Sequence, residues 1–216
     1  MKLPFILILS GLLFGGILVL ANIDSAQTDL QPSLGEKKAD SFVDKRDQER
    51  YAYIKLGGLY WMKENLRYEA VSSECYKGEA ENCEAYGRLY AHSDISTACP
   101  EGWRLPTTAD WKALKKTIKS KKADRIIAEG IWEGEAFEGA NNELGLSILP
   151  GGRKDELGPP DRESPFGEMG ISASFWLDET EDHWHVRWGK NQVHRHGDIS
   201  KQGRKFSIRC VCENPE

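Results

Sequence analysis

The stretch from Cys99 to Trp111, CPEGWRLPTTADW, constrains the fold more than any other, because almost every residue in it has a distinct structural role. Gly102 lies in the turn that opens the stretch. Trp103 and Leu105 then form a short apolar alternation that points inward, and Pro106 ends that segment. The sequence therefore predicts a buried segment that stops abruptly and leads into a new element.

The new element is predicted to be a helix. Thr107 or Thr108 can cap its N-terminus, and Asp110 follows Thr107 by three residues, in the place where a capping box usually has Glu. The apolar residues after the cap recur at helical spacing: Trp111, Leu114 and Ile118. We expect this helix to pack onto the core of the domain.

The N-terminal segment is different in kind, because Lys2 is followed by 19 residues, Leu3 to Ala21, without a charged side chain. Such a segment is typical of an export signal, with cleavage after Ala21. The same length could span a bilayer, so an uncleaved anchor is the alternative, and it is the one expected membrane contact. In either case residues 22–216 are predicted to be exported, to the periplasm, the outer cell surface or the extracellular space.

After residues 1–21, the sequence predicts a polar linker at 22–41 and one domain at 42–213. Short strands are expected in the domain, the first two divided by Gly57-Gly58. The Gly-rich region 130–170 is predicted to form long surface loops, which on a rigid scaffold usually carry recognition. Short antiparallel strands, two helices and long loops together indicate the α+β class.

The charge of the chain excludes one class of partner. The formal net charge is −5 and no block of basic residues is present, whereas phosphate binding needs clustered Lys and Arg. Nucleic acid is therefore not an expected partner. The lysines between 115 and 122 are expected to form a solvated helix face.

Because the domain is predicted to be exported, disulfides are expected among its five cysteines. Oxidising compartments convert paired thiols into structural bridges. Cys75 and Cys83 bracket a short polar loop, and Cys99 lies in the central stretch. In a strand, Cys210 and Cys212 would face the same side, and such neighbours rarely bond to each other. One cysteine is left without a partner.

Six segments between Phe42 and Cys212 form a recognisable series: FVDKRD at 42–47, WMKENL at 61–66, CEAYGRLY at 83–90, CPEGWRLP at 99–106, LGLSILPGG at 144–152 and SIRCV at 207–211. In this order they resemble the Fibrobacter succinogenes major paralogous domain family, which is related to C-type-lectin-like and sulfatase-modifying-factor folds.

The resemblance implies a C-type-lectin-like fold and an exported binding or cell-surface function, with a protein or glycan as the ligand. It also implies two disulfides, Cys75 with Cys83 and Cys99 with Cys210. Cys212 is an additional cysteine beside the usual terminal one. It is expected to be unpaired or available for an intermolecular bond.

An enzyme is the competing class. The central stretch and the Arg-Cys ending resemble formylglycine-generating oxidases, but the pair of reactive cysteines that those enzymes use is missing, since no cysteine lies between Cys99 and Cys210. No nucleophile elbow, phosphate loop or zinc-protease motif is present. Glu133, Glu135 and Glu138 are expected to be solvated loop charges. A non-catalytic module without a required cofactor is therefore expected, and Trp132 is the one tryptophan placed on a loop, where it could stack on a sugar.

Four residues near the C-terminus are candidate metal ligands: His183, His185, His194 and His196. If Gly189-Lys190 forms a two-residue turn, His185 pairs with His194 and His183 with His196, so that all four imidazoles share one face. Opposed Cβ atoms then lie about 4.5 to 5.5 Å apart, within reach of a shared ion. Neutral imidazole favours Zn²⁺, Cu²⁺ or Ni²⁺, and Asp182 or Asp198 could add an oxygen ligand.

The register of this hairpin decides the metal hypothesis. A four-residue loop from Gly189 to Gln192 would oppose His185 to His196 and His183 to Asp198, and a three-residue loop would break the pattern. The competing interpretation is a solvated polar face on an exposed hairpin, with no bound ion.

Overall fold

The computed structural model describes residues 40–120, 122–157, 163–178, 183–186, 191–196 and 202–215. The predicted signal or anchor at 1–21 and nearly all of the predicted linker at 22–41 lie outside these residues. Lys38–Glu216 forms one unit of the chain. Within the described ranges, no helix is long and apolar enough to cross a bilayer.

The described residues form a mixed α+β structure in which strands predominate, which confirms the predicted class. The α-helices are α1 (Ala80–Tyr86), α2 (Ile95–Ala98) and α3 (Thr108–Ile118). The strands are β1 (Ser41–Val43), β2 (Arg50–Leu56), β3 (Leu59–Met62), β4 (Tyr90–Ala91), β5 (Gly151–Asp155), β6 (Phe166–Met169), β7 (Ala173–Trp176), β8 (His183–Val186), β9 (Val193–His196), β10 (Arg204–Phe206) and β11 (Val211–Cys212).

The strands form two sheets. The small sheet has the order β1-β2-β3-β11, and the large sheet has the order β4-β10-β5-β7-β8-β9, with β6 added on β5. The pairing of β5 with β7 is parallel, and the other described pairings of strands are antiparallel. The hairpin predicted around Gly57-Gly58 is confirmed, because β2 and β3 pair from Tyr53↔Met62 to Leu56↔Leu59.

Helix α3 is the predicted helix, and its cap is the predicted one. The Thr107 hydroxyl accepts a hydrogen bond from the Asp110 amide at 3.2 Å, and the Asp110 carboxylate accepts one from the Thr107 amide at 2.8 Å. The three apolar residues of the helical pattern are buried. Among them, Trp111 packs its ring against Trp61 and Trp184, at centroid distances of 5.0 and 5.4 Å. The helix thereby joins the small sheet to the large one.

Two parts of the sequence prediction are wrong. The segment between Cys75 and Cys83, expected to be a polar loop, contains most of the first turn of α1. The region 130–170 is not made of loops throughout, because it contains β5 and β6. Gly152 accounts for part of the second error, because glycine is usually a turn former and here it lies in a strand. A Cβ on Gly152 would lie 2.6 Å from the Met169 amide nitrogen, so the glycine allows β6 to pass close to β5.

The capping box generates a testable prediction for stability and its pH dependence. Burial alone raises the pKa of Asp110, but hydrogen bonds from Arg104 and Thr107 outweigh it and hold the pKa below its ordinary value. We expect Asp110→Asn to lower the free energy of unfolding by about 1 kcal/mol near neutral pH. Because the folded-state pKa is depressed, this loss is complete above the unfolded-state pKa and disappears as the pH falls through the folded-state value.

Urea unfolding between pH 2 and pH 7 measures this difference, with Glu101→Gln as the matched control at an exposed carboxylate. An Asp110→Asn deficit that is independent of pH would contradict the prediction.

Candidate functional site

A concavity of about 560 Å³ opens between residues 128 and 140, within the region predicted to carry recognition. We call it the Trp132 concavity. Its lining combines two aromatic residues, two acidic residues and five small residues: Trp132, Phe137, Glu135, Glu138, Ala128, Gly130, Gly134, Gly139 and Ala140. Its volume lies within the range of about 300 to 1,000 Å³ that is usual for small-molecule sites.

The indole of Trp132 is held in one orientation. Its Nε1 donates a hydrogen bond to the Ile148 carbonyl at 3.0 Å, and its ring lies 4.6 Å from the Phe137 ring, measured between centroids. Phe137 belongs to the buried core, whereas Trp132 is half-buried. The indole is therefore supported from the core and presents its remaining surface to the concavity.

Glycines keep the wall of the concavity open. Gly130, Gly134 and Gly139 have φ values of 73°, 98° and 81°, and a Cβ on any of them would meet no heavy atom within 4 Å. Larger side chains would be strained at these φ values and would project into free space. The wall is consequently formed by backbone peptide groups, which can donate and accept hydrogen bonds.

The wall is tied to the neighbouring loop at 168–172. The Glu133 amide donates to the Gly170 carbonyl at 2.8 Å. Gly170 has a φ of 85°, a conformation that favours glycine. The loop that follows the concavity is constrained in addition by its own side chains: Asn142 and Ser147 have φ values of 42° and 56° and exchange two hydrogen bonds, of 2.8 and 2.9 Å.

Arg209 supports the same loop from inside. Its side chain is fully buried and donates to the carbonyls of Leu146 and Ser147, at 2.6 and 3.1 Å. The guanidinium also donates twice to Asn65 Oδ1, at 3.2 and 2.7 Å. Ile148, whose carbonyl orients Trp132, directly follows these two anchored residues, so Arg209 helps to fix the floor of the concavity.

The sequence prediction missed Arg209 and Asn65 as supporting residues. Both lie in segments that carry the family resemblance, SIRCV and WMKENL, and that was the one available signal. The residues around Arg209 and Asn65 have no apolar pattern from which the burial of either side chain could be predicted. Their pairing spans more than a hundred residues, which no local spacing rule can detect.

Acidic residues dominate the electrostatics around the Trp132 concavity. Residues 126–152 contain five glutamates and neither Lys nor Arg. Glu143 is paired with Arg125 at 2.7 Å, whereas Glu133, Glu135 and Glu138 are exposed. The site is therefore electronegative, and it is unfavourable for an anionic ligand.

A second concavity, of about 470 Å³, lies where β1 ends beside the turn at 100–103. Phe42 and Trp103 line it and stack on each other, with ring centroids 4.4 Å apart. Arg46, also in the lining, is bound to Asp44 and to the Thr97 and Ala98 carbonyls. The Arg46 guanidinium and the stacked faces of Phe42 and Trp103 are thus largely occupied by contacts within the protein.

The predicted register of the histidine hairpin is confirmed. His183 lies opposite His196, and His185 lies opposite His194, in antiparallel β8 and β9. The turn residues 187–190, on which this register was argued, lie outside the described residues. So do Asp182 and Asp198, the two suggested oxygen ligands.

The exposed-hairpin interpretation is wrong for β8, because His183 and His185 are only 5% and 6% exposed. β8 lies between β7 and β9, and Phe206 of β10 stacks on His183 with ring centroids 4.5 Å apart. Trp184 and Val186, which alternate with the histidines along β8, are buried as well, so both faces of β8 are covered.

The imidazoles of β8 approach each other closely. His183 Nε2 and His185 Nδ1 lie 3.3 Å apart, and the His185 and His194 rings have centroids 5.8 Å apart. In the part of the chain that the structure describes, no group of three or more His, Cys, Asp or Glu side chains is arranged to hold a metal ion. The four-histidine site therefore stays a prediction.

Two cysteine pairs lie at bonding distance, Cys75 with Cys83 and Cys99 with Cys210, and these are the pairs that the family resemblance implies. Cys212 is unpaired and buried, and burial raises the pKa of its thiol to about 11. A buried, protonated thiol is poorly placed for an intermolecular bond.

We expect non-reducing peptide mapping to recover these two bridges and a free Cys212. The Cys99–Cys210 bridge has a sequence separation of 111 residues. Chain-entropy estimates for so long a loop give about 4 to 5 kcal/mol, so Cys99→Ala/Cys210→Ala should lower the free energy of unfolding severely, whereas Cys212→Ala should not remove either bridge. Recovery of a Cys99–Cys212 peptide would show that the terminal partner is different.

Calorimetric titration with Zn²⁺ and Cu²⁺ tests the metal prediction. A shared site requires binding tighter than millimolar that is lost in His185→Ala/His194→Ala. The matched control is His92→Ala, a histidine outside the hairpin. Binding that is weaker, or unchanged in the double variant, would remove these histidines from the candidate ligands.

A family model described as the Fibrobacter succinogenes major domain matches residues 54–212. No curated protein and no solved structure matches the chain. The C-type-lectin-like fold implied by the resemblance accordingly has no structural neighbour to support it, and it stays a prediction within the observed α+β class.

Proposed function

This chain belongs to the Fibrobacter succinogenes major domain family, and from that premise we propose that it is an exported, non-catalytic binding module. It recognises a protein or a glycan through its loops between residues 130 and 170. The observation that carries this proposal is the Trp132 concavity, an open site with a fixed aromatic residue.

Rigidity supports a binding role for these loops. The Trp132 concavity is held by the Glu133–Gly170 and Trp132–Ile148 hydrogen bonds, and Arg209 anchors the two residues before Ile148. A site that is already ordered loses little conformational entropy when a ligand binds, so more of the contact energy appears as affinity. Loops on a rigid scaffold are also the usual place for recognition.

The second concavity is the weaker candidate. Its Trp103 is nearly buried, at 9% exposure, and stacks on Phe42, whereas Trp132 is half-buried and borders open space. The guanidinium of Arg46, in the lining of the second concavity, donates hydrogen bonds to Asp44 and to backbone carbonyls. Less of its recognition chemistry is available to a ligand.

Thiol chemistry offers little support for the alternative of an oxidase resembling formylglycine-generating enzymes. The thiolate is the reactive form of cysteine, and the raised pKa of Cys212 leaves very little thiolate at neutral pH. Cys210 lies at bonding distance from Cys99. The exposed glutamates of the loops are well suited to contact a ligand's polar groups.

The two bridged cysteine pairs support export, because disulfides persist in oxidising compartments. A metal-binding surface protein is the second candidate function. The observation in its favour is the confirmed opposition of His183 to His196 and of His185 to His194.

Arrays of glycans and of extracellular proteins, probed with the full-length protein, test the proposed function. We expect at least one reproducible ligand whose binding is lost in a variant of the 130–170 loops and is retained in Glu101→Gln, at the second concavity. Substrate turnover that a single polar substitution abolishes would overturn the non-catalytic role. If a ligand binds the wild type and the loop variants equally, the binding site lies outside the 130–170 loops.

A further inference from the structure

We propose that the Trp132 concavity is a saccharide subsite, in which one neutral sugar ring stacks on the indole of Trp132. This inference rests on the proposed binding function and names the class of its ligand. It commits to a glycan, and a protein ligand is one of the outcomes that would overturn it.

The indole provides the apolar half of such a site. One face of a pyranose ring carries C–H groups with partial positive charge, and the face of an aromatic ring carries the complementary negative charge. Trp132 is fixed by its hydrogen bond to Ile148 and by its contact with Phe137. Because the indole is already held in place, it loses little conformational entropy when a sugar ring stacks on it.

The rim provides the polar half. A sugar ring has hydroxyl groups around its edge, and each can both donate and accept hydrogen bonds. The exposed carboxylates of Glu135 and Glu138 line the concavity and are hydrogen-bond acceptors. Because no side chain grows from Gly130, Gly134 and Gly139, a ring can approach the backbone closely.

Charge narrows the class of sugar. The lining of the concavity contains the exposed carboxylates of Glu135 and Glu138 and neither Lys nor Arg, so it opposes uronic acids and sulfated sugars. A neutral ring meets no such repulsion. The volume of about 560 Å³ is large enough for an oligosaccharide to continue past the stacked unit.

Calorimetric titration of the full-length protein tests the inference. The probes are neutral hexasaccharides of β-1,4-linked glucose, xylose and N-acetylglucosamine, together with hexagalacturonate and hexalysine. We expect a neutral hexasaccharide to bind with a Kd of about 1 mM or tighter. Trp132→Ala should weaken that binding about tenfold or more, and Trp132→Phe should weaken it less, because a ring is retained.

A second variant obstructs the concavity without altering Trp132. Gly130→Asn adds a side chain that tolerates positive φ at a residue that lines the concavity. Its matched control is Gly78→Asn, at a glycine with a similar φ of 75° that also has free space around it. We expect loss of hexasaccharide binding in the first variant and wild-type binding in the second, with all Tm values recorded.

Three results would overturn the saccharide subsite. They are binding of hexalysine or hexagalacturonate in place of the neutral probes, neutral binding that survives both Trp132→Ala and Gly130→Asn, and neutral binding weaker than about 1 mM. If the arrays give a protein ligand and Gly130→Asn abolishes its binding, the glycan is rejected and the proposed function is retained. Array ligands that are insensitive to every loop variant would reject both.

Discussion

The buried guanidinium of Arg209 is the interaction on which the rest of the structure depends. It is fully buried, and its partners in the described chain are neutral: the Asn65 amide oxygen and the Leu146 and Ser147 carbonyls. Burial lowers its pKa to about 9, while Glu64 acts in the opposite direction, so the group stays cationic at neutral pH. A hydrogen bond to a charged group contributes about 1.5 to 3 kcal/mol, so the segments that contain Asn65, Leu146 and Arg209 are held together firmly.

The position of Arg209 in the chain multiplies its effect. It lies between β10 in the large sheet and β11 in the small sheet, and the adjacent Cys210 is bridged to Cys99. The Ile208 carbonyl accepts from the Leu66 amide, and the Cys210 carbonyl accepts from the Met62 amide. One short segment therefore connects both sheets, the turn before α3 and the loop behind Trp132.

Local sequence rules predicted the elements whose geometry depends on near neighbours. The Thr107–Asp110 capping box, the Gly57-Gly58 hairpin and the helical spacing of Trp111 each follow from residues close together in the chain. The rules failed where distant segments decide the outcome. His183 and His185 have the alternation of a half-exposed strand, but β8 became an inner strand with both faces covered, and sequence period cannot reveal which neighbours a strand acquires.

The candidate site shows the same division. Its location in the Gly-rich loops and the presence of Trp132 were predictable from composition, whereas its rigidity was not. Ser147 adopts a positive φ value that costs of order 1 to 3 kcal/mol, and such strain persists only where surrounding contacts enforce it. Arg209 and the Asn142–Ser147 hydrogen bonds are those contacts. The stability of the core is thus used to hold a loop in a conformation that it would not adopt alone, so the proposed binding site is ordered before any ligand arrives.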